Sequence, residues 1–124
     1  MAPGSVIESV NDLPARFLHH RGRGLDARFR LRIGSLVRDV VVRHGSCRIV
    51  EPEGRAKVTI STSPSTWLEI NSGALSGIEA FAERRLSIRG SIQQALLFEP
   101  LFERPDAGGM RYVVEDVKLP NARV

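Results

Sequence analysis

The amino-acid sequence predicts an α+β domain, a mainly antiparallel five-stranded sheet with helices packed on one face. Three observations predict it. Four stretches of strand character follow one another between residues 26 and 61 with short turns between them, most helix signals come later, and one further short strand lies among those helices. With 124 residues the chain can bury one core but not two. Residues 1–106 are therefore read as a single domain and residues 107–124 as an extended tail or linker.

At the start of the chain Ser5 and Glu8 have the spacing of a capping box. Pro14 divides the opening into a short helix through about Asp12 and a further turn or two over "PARFLHH", which "RGRG" then stops. From Asp26 the period changes to two. Ala27, Phe29, Leu31 and Ile33 alternate with Arg28, Arg30 and Arg32, as in a strand with one dry and one wet face. The arginine face is expected to look outward. "RDVVVRHGSCRIVEPEGRAKVTIS" continues as three more strands divided by "HGS" and "EPEG", and such short links predict a meander. In the last of these strands Ala56, Val58 and Ile60 share one face.

Ser63 with Pro64 behind it opens a helix over "TSPSTWLEI", because proline at the first helical position loses no hydrogen bond. "NSGALSG" interrupts that helix. Ser76 and Glu79 form a second capping box and start a helix expected to bury Ile78, Phe81 and Ala82. Leu86 and Ile88 then alternate with Ser87 and Arg89 in a strand ended by Gly90. Ser91 with Gln94 opens the last helix, "IQQALLFEPLF", which has no convincing wet face before Pro100 bends or ends it. The segment "GMRYVVEDVKLP" reads as a strand or linker.

The net charge is +4 and is unevenly placed: residues 1–50 hold nine arginines against Glu8, Asp12, Asp26 and Asp39. Arg28, Arg30 and Arg32 are candidates for contact with an anionic membrane surface, set against the plainer reading of a wetted sheet face. Nucleic acid is disfavoured, since single-strand recognition interleaves aromatics with the cations and Phe29 alternates inward. No apolar run is long enough to span a bilayer, the N-terminus lacks the pattern of a secretory signal, and Cys47 has no partner for an internal disulfide, so the cytoplasm is expected. No nucleophile elbow, phosphate loop or metalloprotease helix occurs, and neither a catalytic centre nor a cofactor is implied. His44 and Cys47 are spaced like two ligands of a zinc site that lacks the others. His19 and His20 diverge by about 100° on a helix, and Glu51 and Glu53 flank Pro52 in a turn.

The run "ALSGIEAFAERRLSIRGSIQQALL", preceded by four strands and the helix "STWLEINSG", resembles the sterol carrier protein type 2 family of lipid-binding domains over about residues 10–103. The resemblance lies in the order and spacing of the whole. One position departs from it: Arg84 stands where the family usually has glycine, and either ends its helix in a left-handed conformation or extends the helix by a residue. The family implies a non-catalytic carrier with an apolar tunnel between sheet and helices for a sterol, fatty acid, acyl-CoA or similar lipid. It also implies an alternative, an accessory module docked on, or fused to, a lipid-metabolising enzyme.

The candidate wall comprises Phe29, Leu31, Val58 and Ile60 from the strands, Trp67, Leu68 and Leu75 around the first long helix, and Ile78, Phe81, Leu86 and Ile88 beyond it. Leu96, Leu97, Leu101 and Phe102 complete it from the last helix, with Gln93 placed to hydrogen-bond a polar end. Two outcomes stay open at this level: these side chains meet in a closed core at crystal-like density, or they leave a void of several hundred Å³ that a lipid fills.

Overall fold

The structure is a computed structural model and describes residues 3–103. The expected tail, residues 107–124, lies outside the described residues. Three helical segments open the chain: α1 (Pro3–Asn11), α2 (Leu13–Arg16) and α3 (His19–Gly22). Since α1 begins at Pro3, Ser5 lies inside it and is not its cap. Then come β1 (Ala27–Ile33), β2 (Leu36–Arg43), β3 (Ser46–Val50) and β4 (Val58–Thr62), followed by α4 (Pro64–Ser72) and α5 (Gly77–Ala82). The strand β5 (Leu86–Gly90), α6 (Ile92–Phe98) and a 3-10 turn, Glu99–Leu101, complete the order.

The five strands form one sheet in the order β3-β2-β1-β4-β5. It is mixed but mostly antiparallel: β1–β2, β2–β3 and β4–β5 are antiparallel, whereas β1 and β4 are parallel. The expected meander is thus corrected at one link. Residues 51–57 do not turn β3 back on itself as a hairpin; they carry the chain across three strand spacings, roughly 14 Å, which seven residues can span in extended form.

What holds that crossing is a charged cluster on the outer face. Asp39 has no exposed surface, and its register partner across the ladder is Arg30. Arg30 donates to both Asp39 oxygens at 2.8 and 3.0 Å, Arg28 donates to Oδ2, and the Glu53 N–H donates to the same oxygen at 3.3 Å. Arg30 also donates to the Glu53 carbonyl at 3.0 Å, so the crossing segment is seated on the cluster from both its donor and its acceptor. The arginine stripe does face outward, but it is not wetted along its length: Arg28 and Arg30 are half-buried ion-pair partners, and of the three only Arg32 is exposed. Burial of Asp39 would by itself raise its pKa. The hydrogen bonds from Arg30, Arg28 and Glu53 outweigh that effect and hold the carboxyl below its usual range.

The inner face follows the predicted alternation. Ala27, Phe29, Leu31 and Ile33 of β1, Val40 and Val42 of β2 and Val58 and Ile60 of β4 are buried there. Helices cover them with Val6, Val10, Leu13, Trp67, Ala95 and Phe98. Phe29 meets Phe98 edge-on at 5.0 Å between ring centroids, and Phe98 meets Phe102 at 5.1 Å. Phe17 bridges to Phe102 and so ties the opening of the chain to its last described turn.

The left-handed alternative holds at Arg84, whose φ is +63°. A Cβ in this region is disfavoured, and glycine is not. Arg84→Gly is therefore expected to stabilise the fold by about 1 kcal/mol, which a shift in the urea midpoint at constant slope would register.

Candidate functional site

Local sequence rules set each wall of the site. In α4, Ser63 accepts from the Thr66 N–H at 3.2 Å, Pro64 occupies the first turn, and Gly73 ends the helix at φ +90°. This places Trp67 and Ile70, one turn apart, toward the sheet side. The Trp67 indole N–H donates to Ser9 Oγ at 2.7 Å, which ties α4 to α1 and fixes the ring. α5 is only six residues long and carries the complete capping box between Ser76 and Glu79, both bonds at 3.0 Å. Its N-terminus is further held by Glu99, which accepts from the Gly77 N–H at 3.1 Å.

Here the structure departs from the expectation for α5. Ala80 is its buried residue, while Ile78 is 63% and Phe81 40% exposed, and Ala82 is exposed as well. Small Ala80 brings the helix close, and the larger side chains beside it border a cavity in place of filling the core. α6 behaves alike: Ala95 and Phe98 are buried and Leu96 is 49% exposed.

The cavity encloses about 180 Å³, less than the several hundred Å³ that would hold a whole lipid. It opens to solvent through the exposed Ile78, Phe81 and Leu96. Its floor is Ile60, Leu86 and Ile88 of β4 and β5, and its sides come from Trp67 and Ile70, from α5, from Ala95 and Phe98, and from Phe102. Eight of the sixteen predicted wall residues border it: Ile60, Trp67, Ile78, Phe81, Leu86, Ile88, Leu96 and Phe102. Others lie elsewhere. Phe29, Leu31 and Val58 are deep core, Leu75 and Leu101 are buried off the wall, and Leu68 is half-buried against the core. Gln93 and Leu97 are exposed away from the wall.

The polar end is made by residues that local patterns did not single out. Arg16, Asn71, Glu99 and Glu103 border the cavity. Arg16 donates to Asn71 Oδ1 and, at 2.9 Å, to the Glu103 carbonyl, and its Nε lies 3.7 Å from Asp12. Burial draws the Arg16 pKa down, against the opposing pull of Asp12 and Glu103; a guanidinium remains charged regardless. Ile70 was not among the expected wall residues, although its place one turn from Trp67 was a signal for it. Arg16 and Glu103 carried no such signal, because they come from opposite ends of the described chain.

Other candidate chemistry resolves into structure. His44 sits in the β2–β3 turn at φ +51°, and burial pushes the Cys47 thiol up to about 11, so it stays protonated. The His19 ring bonds the Gly45 carbonyl at 2.7 Å. Among the described residues no group of three or more His, Cys, Asp or Glu could hold a metal ion, and no helix is long and apolar enough to cross a membrane.

The same architecture occurs in solved structures. A stereoselective inverting sec-alkylsulfatase from Pseudomonas sp. matches 73% of the chain with a TM-score of 0.65 and 19% identity, and the chain spans only 15% of that enzyme's length. Sterol carrier protein 2-like 2 from Aedes aegypti matches 80% of the chain and 94% of its own length, with a TM-score of 0.59 and 16% identity. Sterol carrier protein-2 of Aedes aegypti, solved in complex with the C16 fatty acid palmitate, matches 74% and 92% with a TM-score of 0.53 and 22% identity. At these identities the likeness is one of fold. Comparison with the curated proteins gave no match. The SCP-2 sterol transfer family model matches residues 18–103, which is most of the chain and includes the sheet, α4, α5 and α6: the chain belongs to the SCP-2 sterol transfer family.

Proposed function

We propose that the chain is a non-catalytic lipid-binding domain whose cavity receives the apolar chain of a lipid. The supporting observation is a water-open, apolar-walled space bordered by large side chains that the core does not absorb, Ile78, Phe81 and Leu96. Water in such a space finds few polar partners, whereas a space of about this size admits a hydrocarbon the size of benzene. The cavity itself takes roughly six to eight carbons on that scale, and a longer chain continues along the exposed side chains of α5 and α6. Each buried methylene contributes about 0.8 kcal/mol, so affinity grows with chain length and needs no reactive group. The palmitate complex of the Aedes aegypti protein, which shares the fold, supports the same use of it here.

Trp67 is the chain's sole tryptophan and borders the cavity, so saturable change in its fluorescence on titration with a medium-chain lipid is the expected result. Absence of any change across sterol, alcohol and fatty-acid probes would overturn the reading. Ile78→Asp and Phe81→Asp are each expected to weaken binding about tenfold by removing apolar contact at the opening. Ile78 is the more exposed, so Ile78→Asp should lower the unfolding free energy by no more than about 0.5 kcal/mol, whereas Phe81→Asp, at a partly covered side chain, should lower it by about 1 kcal/mol.

A second reading, a module docked on a lipid-metabolising enzyme, draws on Ile92 and Leu97, which are 49% and 48% exposed off the cavity wall, and on the occurrence of the fold inside the larger sulfatase. Substitution of Ile92 and Leu97 by serine separates the two: it spares lipid binding under the first reading and abolishes assembly with an enzyme under the second.

A further inference from the structure

Resting on the lipid-binding reading, we infer that Asn71 is the head-group donor of the cavity: its side-chain amide selects ligands with an oxygen acceptor at their polar end, and Arg16 holds it in that role. Among the described residues, the wall side chains that carry a hydrogen-bond donor are Trp67, Arg16 and Asn71. Trp67 has one N–H, and Ser9 Oγ takes it at 2.7 Å. Arg16 donates to the Glu103 carbonyl at 2.9 Å and to Asn71 Oδ1, and its Nε lies 3.7 Å from Asp12. Asn71 differs from both. Its oxygen is engaged, while its amide nitrogen has no partner among the described residues.

The orientation of the amide follows from the chemistry of its neighbour. A guanidinium has donors and no acceptor, so the Asn71 oxygen must meet Arg16; the flipped amide would set N–H against N–H. Two amide N–H groups are thereby left for a ligand at the polar end of the cavity. Arg16 is itself held by the Glu103 carbonyl and by Asp12, so the amide is oriented before a ligand arrives and little ordering remains to oppose binding. A ketone, ester, hydroxyl or carboxylate oxygen can accept from it. An ammonium cannot, and a hydrocarbon end displaces water without replacing its hydrogen bond. Since the rest of the wall is mostly apolar, this one amide decides which kind of polar end is held there.

The test is titration of Trp67 fluorescence with 2-octanone and octanoate, which accept hydrogen bonds, 1-octene, which forms none, and octylammonium, which only donates. Asn71→Asp keeps an acceptor for Arg16 and removes both donors, so the fold should hold while 2-octanone and octanoate bind about three- to tenfold more weakly. Binding of 1-octene should change by less than about twofold, and octylammonium should not weaken. Asn71→Leu, which adds no charge, should weaken 2-octanone to the same extent. Arg16→Lys keeps the charge but loses the planar fork, and should weaken 2-octanone about two- to threefold in the wild-type background and not at all beside Asn71→Leu. Equal weakening of every probe by the Asn71 variants, or unchanged binding of 2-octanone, overturns the inference while leaving the lipid-binding reading in place. So does octanoate binding that responds to Arg16→Lys and not to Asn71→Leu. Failure of all the probes to bind the wild-type protein removes that reading and the inference with it.

Discussion

Replacement of Gly90 by alanine is expected to cost about 3–5 kcal/mol of folding stability, a large share of what a domain of this size possesses. Gly90 closes β5 at φ +97°, a conformation that residues with a Cβ avoid. A Cβ there would overlap the Lys57 carbonyl oxygen and lie 2.9 Å from its carbonyl carbon. That backbone cannot retreat easily. The same carbonyl accepts the Ser91 N–H at 3.1 Å, Ser91 caps α6, and Gly90 is the register partner of Val58 at the start of β4. One methyl group would thus press on the end of the crossing segment, the β4–β5 ladder and the first turn of α6 together. Urea denaturation measures the cost, and hydrogen exchange at Val58 and Gln94 locates it. A loss below about 1 kcal/mol would show that the Lys57 peptide moves freely, contrary to this packing.

The second large effect is at Asp39. Asp39→Ala leaves Arg28 and Arg30 facing each other with no counter-ion between them and removes the acceptor of the Glu53 N–H. Breaking a fully buried pair costs about 3–5 kcal/mol; both arginines keep some access to water, so about 2–4 kcal/mol is expected. Proteolysis should report the damage at residues 51–57, because the crossing segment loses its seat. Asp39→Asn keeps an acceptor and should cost less. The linked pH dependence has a definite sign. The folded-state pKa of Asp39 lies below that of the unfolded chain, so its contribution is complete above the unfolded value near 4 and is lost as pH falls through the lower folded value. An acid titration of stability should therefore show a limb in the wild-type protein that Asp39→Asn flattens. Identical acid limbs in the two proteins would contradict the ion-pair account.

Much of the fold was legible because it follows from short-range rules. Alternation from Ala27 to Ile33 assigned the inner face of β1 without reference to any other strand, since a strand turns every second side chain the same way. Ser63, Ser76 and Ser91 marked three helix starts, and each accepts the N–H bond that such a residue is suited to accept. The site was legible in part. Of the apolar residues nominated for the wall that the resemblance implies, Trp67, Ile78, Phe81 and Leu96 border the cavity, whereas the core absorbs Phe29, Leu31 and Val58.

By itself, then, the sequence determined the class of fold, the places where helices start and which side of each strand is dry, because those depend on residues a few positions apart. Only the tertiary structure decided that β4 lies parallel to β1, that Arg28 and Arg30 serve Asp39, and that the cavity's polar end is built from Arg16 and Glu103. Arg16 and Glu103 stand 87 positions apart. A seven-residue link is compatible with a turn or a crossing, and an apolar side chain gains similar free energy against protein or against lipid. Which of these occurs depends on distances between elements, a quantity that no local pattern of residues encodes.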